Sequence, residues 1–497
     1  MGKFTIINEA DNVAVALKDL KAGLSFTAGN ASVTLREDIP RGHKFALKDF
    51  LPGEKIIKYG FPIGCASENI YCGQHVHIHN IKTLLSDNLE YTYTPVSTEV
   101  QVPELREGEK FFEGYVREDG RAGVRNELWI IPTVGCVNNI AREIERYTKE
   151  LAGGNIDGVT AFSHPYGCSQ MGDDQENTRE ALSALITHPN AGGVLVLGLG
   201  CENSNIRVLK EKYLKDRDLS RVKFLNCQDT EDEVEEGVRL MTELAEKASL
   251  YEREPVPISR LIVGMKCGGS DGLSGITANP VVGRFSDILT RAGGSTILTE
   301  VPEMFGAETI LMGRAENEEV FRKTVKLIND FKDYYRFHGQ TIYENPSPGN
   351  KEGGISTLED KALGCTQKSG FSPVRDVLGY GEELKKPGLN LLSAPGNDLV
   401  ASTALVLSGA QIILFTTGRG TPFSSPVPTV KISSNSALAG KKINWIDFDA
   451  GRLTEGKTVE AMGTELFNFV RSVAGGRRVK SENTFRDLAI FKTGVTL

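Results

Sequence analysis

Three of the seven histidines in this chain fall within five residues, at His75, His77 and His79 of "GQHVHIHN". In a β-strand alternate side chains share a face at a spacing of about 7 Å. The imidazoles would then line one face, with Val76 and Ile78 turned into a core. A straight strand holds all three too far apart for a single ion. Two of them joined by His43, from the glycine turn "RGHK", make an easier set. Imidazoles that leave water positions open suit iron, manganese or zinc. The competing reading is an exposed polar face. Three histidines in register, with a fourth beside a glycine turn, favour the metal. His43, His75, His77 and His79 are therefore the candidate ligands, and the choice among the strand three stays open.

The eight cysteines are spread thinly and contain no CxxC pair, so a disulfide framework is not expected. Four of them end strand-like runs beside glycine or lysine: "TVGC" (Cys136), "PYGC" (Cys168), "GLGC" (Cys201) and "GMKC" (Cys267). Such positions are either inert buried thiols or ligand loops of an α/β fold. An iron–sulfur cluster on Cys136, Cys168 and Cys201 is the alternative to a metal on the histidines.

These residues need a scaffold, and 497 residues exceed the roughly 250–300 at which single cores stop growing. Residues 1–95 carry short strand signals ("VAVAL", "HKFAL", "EKIIKYG", "HVHIH") interrupted by Gly, Pro and Asp, which predicts a small all-β domain. Residues 96–110 are proline-containing and charged, a linker. From 111 to 250 apolar runs ("LWIIPTVG", "GVTAFSH", "GGVLVLGLG") alternate with helical patterns, giving βαβ units and a mainly parallel sheet. "YEREPVPISR" reads as a break. Residues 251–497 begin another α/β domain of the same kind, interrupted by a loop-rich polar stretch at 343–370.

The totals exclude several classes. A net charge of -8 gives no footprint for nucleic acid. No apolar run approaches the roughly 18 residues of a bilayer span, and no apolar leader opens the chain, so a cytoplasmic protein with no membrane partner is expected. GxGxxG and HExxH are missing, which disfavours nucleotide-dependent dehydrogenases and HExxH metalloproteases. GRLTEGKT (451–458) and GGSDG (268–272) match GxxxxGK[ST] and GxSxG only in their letters, and NTPases and α/β-hydrolases are disfavoured as well.

The motifs that are present resemble one family. "DNVAVAL", "RGHKFAL", "IIKYGFPIG" and "GQHVHIHN" are similar to the small SAF-type, β-clip-like domain of the altronate/galactarate dehydratase family. "RAGVRNELWIIPTVGCVN", "FSHPYGCSQMGDD" and "VLGLGCEN" resemble its second domain. "CGGSDGLSGITANPVVGRFSD", "ENPSPGNKEGGISTLEDKALGCTQK" and "TTGRGTPFSSPVPTVKISSN" resemble its third. The resemblance implies a hydro-lyase that removes water from a sugar acid such as D-altronate. Galactarate or a related hexarate or hexonate is the alternative substrate. Ferrous iron, manganese or another divalent ion is the implied cofactor. A homodimer is the expected assembly, and a non-catalytic sugar-acid-binding protein is the rival from another class.

Such a dehydration takes the proton from carbon 2 and the hydroxyl from carbon 3. It needs a Lewis acid, cations for the carboxylate, and proton carriers. Arg125, Arg284, Arg419 and Lys431 are the candidate cations. Arg419, in a glycine turn without an acidic neighbour in sequence, ranks first. His164, Lys266 and Glu303 are the candidate acid–base groups. Asp271, Asn279, Asn397 and Asp398 are the candidates for sugar hydroxyls.

Overall fold

The computed structural model describes residues 2–28, 31–85, 89–486 and 488–495. An all-β unit comes first and two α/β units with parallel sheets follow. Among the described residues no helix is long and apolar enough to cross a membrane.

The small unit is built on one turn used four times. Asp19-Leu20, Asp38-Ile39, Asp49-Phe50 and Asn69-Ile70 are each followed, three positions past the apolar residue, by glycine. Those glycines, Gly23, Gly42, Gly53 and Gly73, all adopt φ between 80° and 89°, where a side chain would be strained. The apolar residues are buried and pair by isolated bridges, Leu20 with Ile39 and Phe50 with Ile70. Strands Phe4–Thr5, Val13–Ala16, Lys44–Ala46 and His75–Val76 form an antiparallel sheet in that order. A second sheet joins Lys55–Lys58, Phe61–Ala66 and Ile81–Lys82.

Residues 89–106 run over the C-terminal unit. Tyr91 donates to Glu308 Oε1 (2.6 Å) and Tyr93 to the Ala315 carbonyl (2.8 Å). The stretch read as a break carries strand Glu254–Pro257, which pairs antiparallel with Phe111–Val116. Glu254 and both prolines are exposed while Val256 is buried, a pattern that the two prolines hide in sequence. The second unit's sheet has the order Gly158–Ala161, Glu127–Pro132, Ala191–Gly198, Val222–Asn226, all parallel. Helices Asn138–Thr148 and Gly172–Ile186 connect strands of this sheet, and helix Glu233–Ala248 follows the last of them.

The C-terminal sheet has seven parallel strands in the order Val374–Leu378, Leu389–Leu392, Ser295–Leu298, Ile262–Cys267, Ile412–Thr417, Thr429–Ser433, Phe448–Asp449. The chain starts in the middle at Ile262–Cys267, fills one side, then crosses to Ile412–Thr417 on the other. That reversal leaves a crevice outside the carboxyl ends of these two neighbours, the usual ligand position of an open α/β sheet. The polar stretch at 343–370 is largely folded, with helices Pro348–Glu352 and Leu358–Thr366.

Candidate active site

The histidine run does not continue as a strand. Pairing ends at Val76, and the chain turns: Asn80 N–H and Ile81 N–H donate to the His77 carbonyl at 2.9 and 3.1 Å. The Asn80 side chain fixes the bend. Its amide donates to the His75 carbonyl (2.8 Å) and its Oδ1 accepts from His77 N–H (2.9 Å). Val76 is buried, but the turn carries Ile78 to the surface at 52% exposure, so it does not enter the core. His79 is also exposed, its ring 5.5 Å from that of His75.

His43 completes the group from the adjacent strand. One ligand nitrogen from each of His43, His75 and His77 lies within 4.8 Å of the others. His43 Nδ1 is 3.0 Å from His75 Nε2, and His43 Nε2 is 3.1 Å from the Glu352 carbonyl. Burial lowers the pKa of all three. The neighbouring imidazoles and Lys44 help to bring His75 and His77 down to about 3. Neutral rings keep a lone pair for a cation. His77 Nδ1 is buried with no hydrogen-bond partner, a costly state for a polar atom and a fitting one for a ligand. The donor set suits a divalent transition metal.

The small unit docks on the crevice of its own chain. Lys44 donates to the Gly354 carbonyl (2.8 Å) and to Asp360 Oδ2 (2.8 Å), and Lys58 donates to Asp360 Oδ1 (3.0 Å). Burial opposes the charge on Asp360, but Lys44 and Lys58 outweigh it and hold the carboxyl far below its ordinary range. The contact is so close that a Cβ on Gly272 would lie 2.0 Å from the Gly42 carbonyl oxygen.

Arg419 comes to the same loop. Its Nη2 is 2.9 Å from Glu352 Oε2, and its Nη1 donates to the Gly349 carbonyl (3.3 Å). It therefore has an acidic neighbour, contrary to the expectation from sequence, because helix Pro348–Glu352 folds back over the glycine turn. Glu352 thus touches His43 through its carbonyl and Arg419 through its carboxylate. Both Arg419 and Glu352 are exposed, so the pair is weak and open to exchange with another carboxylate. Asp271 orders the adjoining loop, accepting from Ser274 Oγ (2.9 Å), Ser434 Oγ (2.8 Å) and the Asn435 amide (3.2 Å). Asp271, Asn279, Lys361 and Cys365 line a narrow cavity beneath the docked domain.

Below that cavity lies a buried charged cluster. Lys266 is fully buried, paired with Glu300 Oε1 (3.0 Å) and Asp398 Oδ1 (2.6 Å). Burial acts against its charge, but the two carboxylates raise its pKa, so it is an ammonium and not a base. Glu303 Oε1 pairs with Lys361 at 2.7 Å and its Oε2 accepts from the Cys267 thiol at 2.9 Å. Burial is again outweighed by Lys361 and Lys368, which bring Glu303 down to about 2. Cys267, Glu303 and Cys365 also meet within 4.8 Å. The Lys368 ammonium, 3.0 Å from Cys267 Sγ, makes that trio a poor cation site beside the neutral imidazoles.

Other candidates lie elsewhere or are fully engaged. His164 is buried in the second unit, with Nε2 on the Pro132 carbonyl (2.7 Å) and Nδ1 accepting from Tyr166 N–H (3.2 Å). Burial takes it down to about 4, and neither nitrogen is free to carry a substrate proton. Arg125 is buried in a bidentate pair with Glu482 (2.7 and 3.0 Å) and donates to three carbonyls, so it fastens the two α/β units together. Arg284 lines a different cavity of about 480 Å³ with Asp287 and Glu460. Asn279 bonds the Gly364 carbonyl (2.9 Å) and Thr416 Oγ1 (2.7 Å). Asn397 caps helix Asp398–Leu407. Lys431 is buried in its strand, and burial brings it down to about 8.

Sequence reasoning passed over Asp360, Lys361, Lys368, Glu300 and Cys365. Two helix-start signals were available: Ser347 with Asn350 forms a reciprocal cap, and Thr357 accepts from Asp360 N–H.

The comparisons with known proteins divide the chain into the same three units. Residues 2–84 match the altronate/galactarate dehydratase SAF domain, 114–249 the D-galactarate dehydratase/altronate hydrolase second domain, and 258–496 the D-galactarate/altronate dehydratase C-terminal domain. The chain is 57% identical to the altronate dehydratase of Bacillus subtilis (strain 168), over 100% of both chains. It is 55% identical to the altronate dehydratase of Escherichia coli (strain K12), over 99% of both. Against the galactarate dehydratase (L-threo-forming) of Escherichia coli (strain K12) identity falls to 35%, over 97% of this chain and 94% of the relative. The protein belongs to the altronate/galactarate dehydratase family.

Proposed function

We propose that this protein is a hydro-lyase that converts D-altronate to 2-dehydro-3-deoxy-D-gluconate and water, in the cytoplasm, with a divalent ion such as ferrous iron. The observation that carries the substrate is the 55–57% identity to two altronate dehydratases along the whole chain, against 35% to the galactarate enzyme.

The site supports the chemistry. His43, His75 and His77 would hold the ion. When bound, it supplies Lewis acidity toward the substrate's carboxylate and adjacent hydroxyl, which makes carbon 2 more acidic. Arg419 takes a carboxylate oxygen by exchanging its exposed partner Glu352, and its fork fixes the orientation of carbon 1. Asp271, held by Ser274, Ser434 and Asn435, keeps the loop wall rigid beside the hydroxyls. The docked β domain covers the crevice and limits water.

Keto-acid release from D-altronate and from galactarate, each with ferrous iron under reducing conditions, tests the reading. We expect a kcat/KM clearly higher for altronate. A preference for galactarate, or no turnover of either, would overturn it.

A further inference from the structure

Three thiols of the second unit have no part in the site above. Cysteine is among the most buried residue types. Cys136, Cys168 and Cys201 are nevertheless all exposed. Each directly follows a glycine, and each lies beyond the carboxyl end of a different strand: Glu127–Pro132, Gly158–Ala161 and Ala191–Gly198. Those strands are neighbours in one parallel sheet, so their end loops share one rim.

The loops are tied together. Gly135 N–H donates to the Tyr166 carbonyl (3.0 Å), and Ser204 N–H to the Gly167 carbonyl (3.1 Å). A Cβ on Gly167 would lie 1.9 Å from the Thr133 carbonyl oxygen, so glycine is what lets the Cys168 loop close on the Cys136 loop. Cys168 Sγ is 3.4 Å from Asn203 Oδ1, two residues past Cys201, and the Gln228 amide nitrogen is 3.7 Å from Cys201 Sγ. Cys227 ends the fourth strand but differs: it is half-buried, and burial pushes its thiol up to about 11.

We propose that Cys136, Cys168 and Cys201 hold an iron–sulfur cluster through three thiolates, leaving one iron without a protein ligand and open to a small oxygen donor. Soft thiolates select either zinc or iron–sulfur clusters. A single tetrahedral ion, with metal–sulfur bonds of about 2.3 Å, requires its sulfurs within about 4 Å of one another. Among the described residues only the histidine trio and Cys267, Glu303 and Cys365 bring three ligand atoms within 4.8 Å. The three loop thiols are thus spread too widely for one ion. A cluster places iron and sulfide between its thiolates and spans the wider ring. Amides such as that of Gln228 then serve as donors to the sulfurs, which tunes a cluster's potential.

The test is anaerobic reconstitution of the full-length protein with ferrous iron and sulfide. We expect broad visible absorbance, with iron and acid-labile sulfide in near-equal amounts. Cys136→Ser, Cys168→Ser and Cys201→Ser should each lose most of the sulfide, while Cys72→Ser and His77→Ala keep it. The His77 control separates this site from the histidine site, so the two readings fail independently. Absence of labile sulfide from folded wild-type protein would overturn the proposal. Sulfide-free metal that is lost from the triple serine variant, or sulfide retained by that variant, would do the same.

Discussion

Asp360 is the residue on which the docking of the β domain turns, and Asp360→Asn exposes the reason. Its Oδ1 takes Lys58 at 3.0 Å, and its Oδ2 takes Lys44 at 2.8 Å together with Ser356 N–H (3.0 Å) and Oγ (3.1 Å). All three charged side chains are at most 2% exposed. Asparagine keeps the shape but removes the negative charge that pairs with two buried ammonium groups. Its amide must also point a donor at Lys44 and Ser356 or at Lys58. Removing one partner of a buried ion pair costs about 3–5 kcal/mol, because the remaining charge is left without compensation.

Both lysines belong to the β domain and the carboxylate to the C-terminal unit, so the loss falls on the contact between them. Differential scanning calorimetry should show a lowered first transition, and limited proteolysis should cut residues 89–106 faster. Iron content should fall with docking, since His43 loses its Glu352 contact. A Lys44→Met, Lys58→Met, Asp360→Leu triple variant removes every charge and should recover much of the stability. Unchanged melting in Asp360→Asn, or a triple variant no better than the single, would refute the argument. The carboxyl's pKa is depressed in the folded state, so its contribution is whole above about pH 4 and is lost as pH falls below that toward the folded value.

Other substitutions separate the remaining roles. His77→Ala should leave the fold and melting temperature near wild type while turnover and the iron in excess of labile sulfide collapse; iron and sulfide assays beside calorimetry check it. Val76→Ala should do the reverse, costing roughly 1–2 kcal/mol through lost burial with metal stoichiometry intact. Arg419→Ala should keep its metal and lower kcat/KM by the equivalent of about 1.5–3 kcal/mol, the worth of one charge-assisted bond to a carboxylate; near-normal kinetics would make Arg419 only a partner of Glu352. Arg125→Met should destabilise by about 3–5 kcal/mol through the stranded Glu482, and protein that still folds should show an ordinary KM.

The parallel sheets were legible because their strands are buried on both faces and therefore spell continuous apolar runs. Glu127–Pro132, Ala191–Gly198 and Ile412–Thr417 have no exposed residue. Helix Leu358–Thr366 was illegible for the opposite reason. All nine of its residues are buried, yet Glu359, Asp360 and Lys361 sit among them, each with a hydrogen-bonded or charged partner from distant sequence. Polarity there reports ion pairing and not solvent, and no periodic stripe survives. Arg125 and Arg419 look alike in sequence, each within two positions of a glycine. What separates them is Glu482, 357 positions from Arg125, and no local rule reaches that far.

The histidines show how a correct period can carry a wrong geometry. Alternation requires that His75 and His77 share a face, but it assumes a strand that Asn80 stops. The register of the neighbouring strand accounts for the third imidazole. Phe45 lies opposite His75 and Lys44 opposite Val76, so His43 comes next, facing His77 where the turn begins. Adjacent residues of a strand point to opposite sides. The step that gives His43 to the imidazole cluster therefore sends Lys44 the other way, onto Asp360. One strand residue anchors the domain and its neighbour carries the candidate metal ligand. A substitution that loosens Lys44 should therefore shift His43 as well, so that loss of docking carries loss of metal, whereas loss of an imidazole alone need not loosen the docking.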